Sequence, residues 1–331
     1  MKRLLIVIIV LTLGWSAYWF VGATRAKSGF EDWFAARQAE GWLAETSDIA
    51  VRGFPNRFDA TFSDVALADP GTGVAWEAPF FQLFALSYRP NHLIAIWPHE
   101  QVLAFPDQRV TVKSEDMKAS LIVAGAPSLP LERSNLAVDA LALVSEAGWS
   151  LSAETLRLAM HKDPESEATY RMALSATGFA PPAEIAARSG AALPRTLKTV
   201  EADLSATFAR PWDITALEDS RPQPTALDLH MAQLTWGRLD LHAAGQVDID
   251  PSGYPQGEIT LRATNWREII ALARQGEELP AALIDGIEQG LQLLSAMAGN
   301  PKTLDIPLNF RGGLTRIGPV PIGPAPRLIL R

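Results

Sequence analysis

Residues Leu239–Trp266, LDLHAAGQVDIDPSGYPQGEITLRATNW, leave this chain little choice of local fold. Leu239, Leu241, Ala243, Val247 and Ile249 fall on one parity, and Asp240, His242, Gln246, Asp248 and Asp250 on the other. Successive strand side chains point to opposite faces, so the run predicts a strand with one dry and one wet face. Asp250–Gly257 follows, with Pro251, Gly253, Pro255 and Gly257. Proline pre-sets φ, glycine supplies positive φ, and a turn is expected. Ile259, Leu261 and Ala263 then alternate with Thr260, Arg262 and Thr264, which completes an antiparallel hairpin. Asn265 stands where a helix N-cap belongs, and Glu268 three residues on suggests a capping box. Trp266, Ile269, Ile270 and Ala273 have helical spacing, so a short helix should pack back on the sheet.

The same alternation recurs along the chain. Val74–Tyr88, Leu93–Trp97, Gln101–Phe105, Gln108–Lys113 and Ala119–Val123 read as strands. So do Leu136–Val144, Trp149–Leu158, Ala168–Thr177, Val200–Phe208, Ala226–Trp236 and Leu304–Phe310. Turn signals every 8–12 residues or so mark an all-β layer. Pro181–Lys198 interrupts the series with Pro181-Pro182 and one short helical pattern, so a boundary between two β-rich halves, 47–180 and 181–331, is expected there. Two helices are predicted near 266–275 and 280–298; in the second, Leu283, Ile287, Leu291 and Leu294 form one face. Ile317–Arg327 holds four prolines and must be extended or turn-like. The fold class is therefore mainly β (α+β): extended antiparallel sheets with a few packing helices. A curved half-pipe and a sandwich alternate in the same way, so both remain open.

The chain also carries a membrane signal. Leu4–Val21 is an uncharged run of 18 residues preceded by Lys2 and Arg3, and Gly22 and Ala23 extend it. A bilayer core of about 30 Å needs about 20 mainly apolar residues. Trp15, Tyr18, Trp19 and Phe20 crowd its end, where interfacial aromatics belong. Val21-Gly22-Ala23 would also suit a cleaved signal peptide, but the run is longer than usual for one and ends in aromatics. Residues 1–23 are thus read as a retained transmembrane anchor. Residues 24–46 are read as an amphipathic connecting helix, with Phe30, Trp33, Phe34 and Arg37 at helical spacing and Gly41 as its stop. The positive N-terminus places that end in the cytoplasm and the bulk of the chain outside it.

Signals for chemistry are sparse. The net charge of −8 advertises no nucleic-acid face. The absence of cysteine removes disulfides, thiolate metal sites and cysteine nucleophiles together. Asp248, Asp250, Ser252 and Gly253 open like a calcium loop, yet the twelfth position is Ile259, so the turn reads as structural. His99-Glu100 lacks the second histidine of a zinc protease, and Gly71-Thr72-Gly73 is not a dinucleotide fingerprint. His230 and His242 could face each other across strands, which suits a polar pair better than a two-ligand metal site. Trp42, Trp76, Trp97, Trp149, Trp212, Trp236 and Trp266 read as core or sheet-edge packing, with a lipid-facing groove as the alternative. No catalytic, cofactor or metal residue is assigned, and a non-enzymatic protein is expected.

Four features occur together: the anchor, GFPNRFD at 53–59, GQVDIDPSGYPQGEITLRATNW at 245–266 and IPLNFRGGLTRIGPVPIGPAP at 306–326. The combination resembles domain-of-unknown-function family 2125 of Gram-negative bacterial envelopes. That likeness singles out Gly53, Phe54, Pro55, Phe58, Asp250, Gly253, Asn265 and Trp266 as structural motif residues and implies no activity. The last third also resembles AsmA-like envelope proteins, which are inner-membrane-anchored and β-rich. Together these imply a single-pass inner-membrane protein with a periplasmic body, acting in lipid handling or outer-membrane assembly. Its expected partners are the bilayer, a phospholipid in an apolar groove, or envelope proteins. A scaffold whose apolar positions are all internal is the rival reading, and an enzyme in which Asp248, Asp250, His230 and His242 converge is a third.

Overall fold

The computed structural model describes residues 1–183, 194–218, 220–275, 281–297 and 303–330. The chain is mainly β: the described residues hold eighteen strands with antiparallel pairings, an apolar helix at the start and three further helices of at least one turn. It divides into two compact units, Met1–Gly125 with Leu143–Gly148, and Ala126–Ala142 with Trp149–Arg331.

The first unit begins with α1 (Lys2–Ala39), a single unbroken helix. At 1.5 Å per residue its 38 residues run about 57 Å. The anchor and the connecting helix expected as separate elements are therefore one rod. Nothing between Thr24 and Phe30 breaks a helix, and Lys27 and Glu31 pair at 3.8 Å one turn apart. The helix ends just before Gly41, the expected stop, and so short of residue 46. Trp42 N–H donates to the Arg37 carbonyl, and Gly41 takes φ of +89°. Leu43–Glu45, inside the predicted helix, is already strand β1, held by Gln38 Nε2 donating to the Ala44 carbonyl at 2.6 Å.

Strands β2 (Asp48–Arg52), β3 (Arg57–Asp69) and β4 (Val74–Leu86) follow, then β5 (Arg89–Ile96), β6 (Glu100–Phe105), β7 (Gln108–Lys113) and β8 (Asp116–Val123). One edge of β3 takes both β1 and β2, and the other takes β4. The far edge of β4 is shared by β5 and β6, which extend to β8 and β7 respectively. Ile49, Ala60, Phe62 and Val65 form the buried centre. Phe30 and Phe34 of α1 close over it, with their rings 4.9 and 6.1 Å from Phe62. Phe30 and Phe34 thus pack as core, as their spacing predicts.

Strand β9 (Leu131–Ser145) contributes to both units. The second unit then continues through β10 (Ser150–Lys162), β11 (Thr169–Phe179), β12 (Leu197–Phe208), β13 (Pro224–Trp236), β14 (Leu239–Ile249), β15 (Pro255–Thr264) and β16 (Thr303–Arg311). Each strand from β10 to β16 pairs with the next. The break expected at 181 does not interrupt this ladder, because Phe179 of β11 faces Leu197 of β12. The short helix predicted after Pro181-Pro182 lies largely outside the described residues. Helix α2 (Thr215–Glu218) is a single turn, and α3 (Arg267–Gln275) and α4 (Ala281–Met297) match the two predicted helices. The side chains of Ala273, Leu283 and Leu294 lie outside the described residues. The proline-rich end folds as a small hairpin, β17 (Leu314–Ile317) and β18 (Val320–Pro324); Pro321 and Pro324 stand in β18, Pro319 in the turn before it and Pro326 beyond it.

Gly245 explains how β14 and β15 lie so close. Its φ is +150°, and a Cβ there would stand 2.3 Å from the Glu258 carbonyl oxygen. Gly245→Val should destabilise the protein by about 2–4 kcal/mol, whereas Ala244→Val on the wet face should stay within about 0.5 kcal/mol. Denaturant unfolding followed by tryptophan fluorescence, with the full chain in micelles, checks this.

Candidate functional site

Two sets of residues that the sequence treats separately meet in the first unit. Trp15 Nε1 donates to the Pro55 carbonyl at 3.0 Å, Tyr18 Oη to the Ser87 carbonyl at 2.6 Å, and Trp19 Nε1 to the Arg57 carbonyl at 2.7 Å. The anchor aromatics thus grip the Gly53–Phe58 motif. Trp19 is buried; its ring stacks on Phe58 at 5.9 Å and meets Phe54 edge-on at 5.4 Å. Phe20 stacks on Phe54 at 5.5 Å. Gly22 is the contact point, since a Cβ there would lie 2.7 Å from the Phe58 ring. Gly53 takes φ of +103° and accepts the Arg57 N–H at 2.9 Å, which turns the chain; the Phe54–Pro55 bond is cis. Fully buried Ser87 ties in the neighbouring turn by donating its N–H to the Asn56 carbonyl at 2.9 Å. The aromatics expected at a membrane interface are therefore also the surface on which the first unit's strands are mounted.

The motif residues of the second unit are architectural. Asp250 Oδ1 accepts N–H bonds from Ser252 at 2.8 Å and Tyr254 at 3.0 Å, which spends the carboxylate on its own turn. Gly253 has φ of +84° and lies under the C-terminal segment, whose Leu328 N–H donates to its carbonyl at 2.7 Å. Asn265 departs from the expected cap. Its φ is +59°, and its Nδ2 donates to the Arg238 carbonyl, at 2.5 Å. Glu268 pairs with Arg238 at 2.5 Å. The capping box fails because both side chains are drawn to the β13–β14 turn. Trp266 is 1% exposed in the core that joins α3 and α4 to β15 and β16.

The register gives the second unit two contrasting faces. Leu158, Leu174, Ala202, Ala232, Ala243, Leu261 and Ile306 face one another in a row across seven strands. Met160, Met172, Leu204, Leu229, Gly245, Ile259 and Leu308 form the next row. At about 4.8 Å per strand these rows are about 29 Å wide. Of all these residues only Ile306 is buried, and Leu158 is 36% exposed. Helices α3 and α4 pack over the β14–β16 end through Ile270, Ile284 and Leu291. Tyr170, Phe208 and Trp212 form an aromatic group at the strand ends, where Tyr170 Oη accepts the Trp212 N–H at 3.0 Å.

The opposite face is polar and holds the one arrangement that resembles a nucleophilic site. His230 Nε2 lies 3.2 Å from Ser205 Oγ, and its Nδ1 lies 3.4 Å from Asp203. The contacts match a serine–histidine–aspartate relay in type only. Arg171 engages Asp203 through both nitrogens, at 2.9 and 2.6 Å. Strand β12 pairs on both edges, so the amides beside Ser205 belong to the ladder and not to an oxyanion hole. A polar depression of about 380 Å³ beside it is lined by Asp228, Gln246, Asp248 and Gln256 among others. His242 does not join it: its Nε2 meets Asp240 at 2.9 Å. Nor does Asp250, so the four residues proposed to converge do not. The register sets Gln233, not His230, opposite His242, and His230 lies in the bulge between Leu229 and Ala232. Among the described residues no group of three or more His, Asp or Glu could hold a metal ion.

With this geometry in view, the chain's kinship can be stated. Residues 19–326 match the family described as "Uncharacterized protein conserved in bacteria (DUF2125)", and the chain belongs to it. The match begins at Trp19 and so takes in Trp19, Phe20 and the Gly53–Phe58 motif. No curated protein and no solved structure matches the chain significantly.

Trp19→Ala should free the Gly53–Phe58 turn at a local cost of about 3–5 kcal/mol. Tryptic cleavage at Arg52 and Arg57 of the full chain in micelles should then accelerate about a hundredfold or more. On the polar face, hydrogen bonds from Arg171 hold the Asp203 carboxyl below its ordinary value, and those from Arg262 do the same for Asp305. A depressed folded value means stability that is present above the unfolded carboxylate range, near about 3.9, and lost as pH falls through the folded one. The unfolding midpoint should therefore drop on acidification below about pH 4, and Asp203→Asn with Asp305→Asn should flatten that slope.

Proposed function

We propose that this is a single-pass inner-membrane protein with its N-terminus in the cytoplasm and its β-rich body in the periplasm, where it handles phospholipid without covalent chemistry. One observation carries the lipid reading: the two half-exposed apolar rows across β10–β16, opposite a face of charged and polar residues. An apolar surface of this extent is unfavourable in water and favours a lipid or partner that covers it. The anchor reading draws on Leu4–Val21, which is long and apolar enough to cross a bilayer, and on Lys2 and Arg3 before it. A role in outer-membrane assembly is the wider setting in which such lipid handling would operate.

Mass spectrometry of the full chain, purified without delipidation, tests this. Phospholipid should co-purify with the wild type. Leu158→Arg and Leu174→Glu should lower its occupancy by about tenfold, equivalent to about 1.4 kcal/mol, while the circular dichroism spectrum is unchanged. Envelope proteins crosslinked to these positions, with no lipid recovered, would favour the scaffold instead.

A further inference from the structure

We infer that the two turns gripped by α1, Gly53–Arg57 and Ser87–Arg89, form a wedge seated in the periplasmic leaflet of an anionic phospholipid bilayer. This rests on the anchor reading above and goes beyond it, because it puts part of the folded body into lipid.

The first ground is length. The helix is engaged by the body from Trp15 onward, where its indole meets Pro55. Leu4–Gly14, the apolar stretch before that point, is only about 16 Å long at the helical rise. A bilayer core is about 30 Å thick. The helix reaches the full span only if Trp15–Val21 also lies in the membrane, and that segment carries the two turns with it. The second ground is surface chemistry. Phe20, Val21, Phe54 and Tyr88 are 59%, 53%, 49% and 62% exposed. They form an outward apolar and aromatic edge continuous with the anchor. The third is satisfaction of polar atoms. Backbone groups in lipid need internal partners, and at this spot the carbonyls of Pro55, Asn56, Arg57 and Ser87 accept bonds from Trp15, Ser87, Trp19 and Tyr18. Arg52 precedes the first turn, and Arg57 and Arg89 end the two turns, Arg57 paired with Asp59 at 2.7 Å. They stand where phosphate headgroups would meet them.

The chain has no cysteine, so single reporters can be introduced cleanly. Full-length Phe54→Cys, Tyr88→Cys, Ile9→Cys and Asp107→Cys would each be labelled with an environment-sensitive fluorophore. They would be reconstituted in vesicles of phosphatidylethanolamine and phosphatidylglycerol. Lipids spin-labelled near the headgroup should quench positions 54 and 88 several-fold more than position 107, and aqueous iodide should quench only 107. Among the described residues Tyr88 makes no ring contact, so its variant reports even if Phe54→Cys loosens the motif. Water-exposed labels at 54 and 88 with a lipid-quenched label at 9 overturn the wedge and keep the anchor. Water exposure at all three overturns both, while lipid contact at 54 and 88 alone supports the wedge and overturns the anchor.

Discussion

A sheet with one apolar face has to cover that face. Much of this structure follows from how unevenly it does so. In the first unit the C-terminal half of α1 lays Phe30 and Phe34 over Phe62, which closes the core of β2–β4. In the second unit α3 and α4 shield β14–β16, and Trp266 sits at the centre of that contact. The middle rows, from Leu158 across to Leu261, remain half-exposed. The hydrophobic effect acts on both regions alike. The second differs in that its apolar face is broader than the two helices beside it.

The N-terminal helix shows how one element can meet two demands. A membrane span needs apolar length, and an aromatic end needs hydrogen-bond partners for its indoles and phenol. Trp15, Tyr18 and Trp19 find those partners in backbone carbonyls of the body. The glycine at position 22 adds close approach, since any side chain there would meet Phe58. This grip orients the sheet on the rod through rigid aromatic contacts at a point where a flexible linker would leave it free. It also couples the apolar end of the chain to the turn motif that lies within the family match.

Much of the fold was legible from period and punctuation. Gln108–Lys113 and Leu239–Ile249 have the predicted bounds, and α3 and α4 stand where spacing and proline put them. The misreadings share a cause. Apolar length divides the continuous helix after Ala23, because it marks a membrane boundary and not a helix end. Asn265 and Glu268 look like a capping pair by spacing alone, yet Arg238 on the preceding turn draws both side chains away. The Ser205–His230–Asp203 contacts were invisible because they span strands whose register is shifted by a bulge.

By itself, the sequence determined the β-rich class, the two-faced strands, the apolar N-terminal run and the structural nature of the Asp250 turn. Each follows from interactions between near neighbours: side-chain alternation, turn preference and hydrophobic length. Tertiary structure decided what those local elements do to one another. It joined the N-terminal aromatics to the Gly53–Phe58 motif, aligned seven strands so that scattered apolar residues became two rows, and paired Asp203 with Arg171. Such pairings depend on strand register and close packing between residues on different elements, and no short-range pattern encodes them.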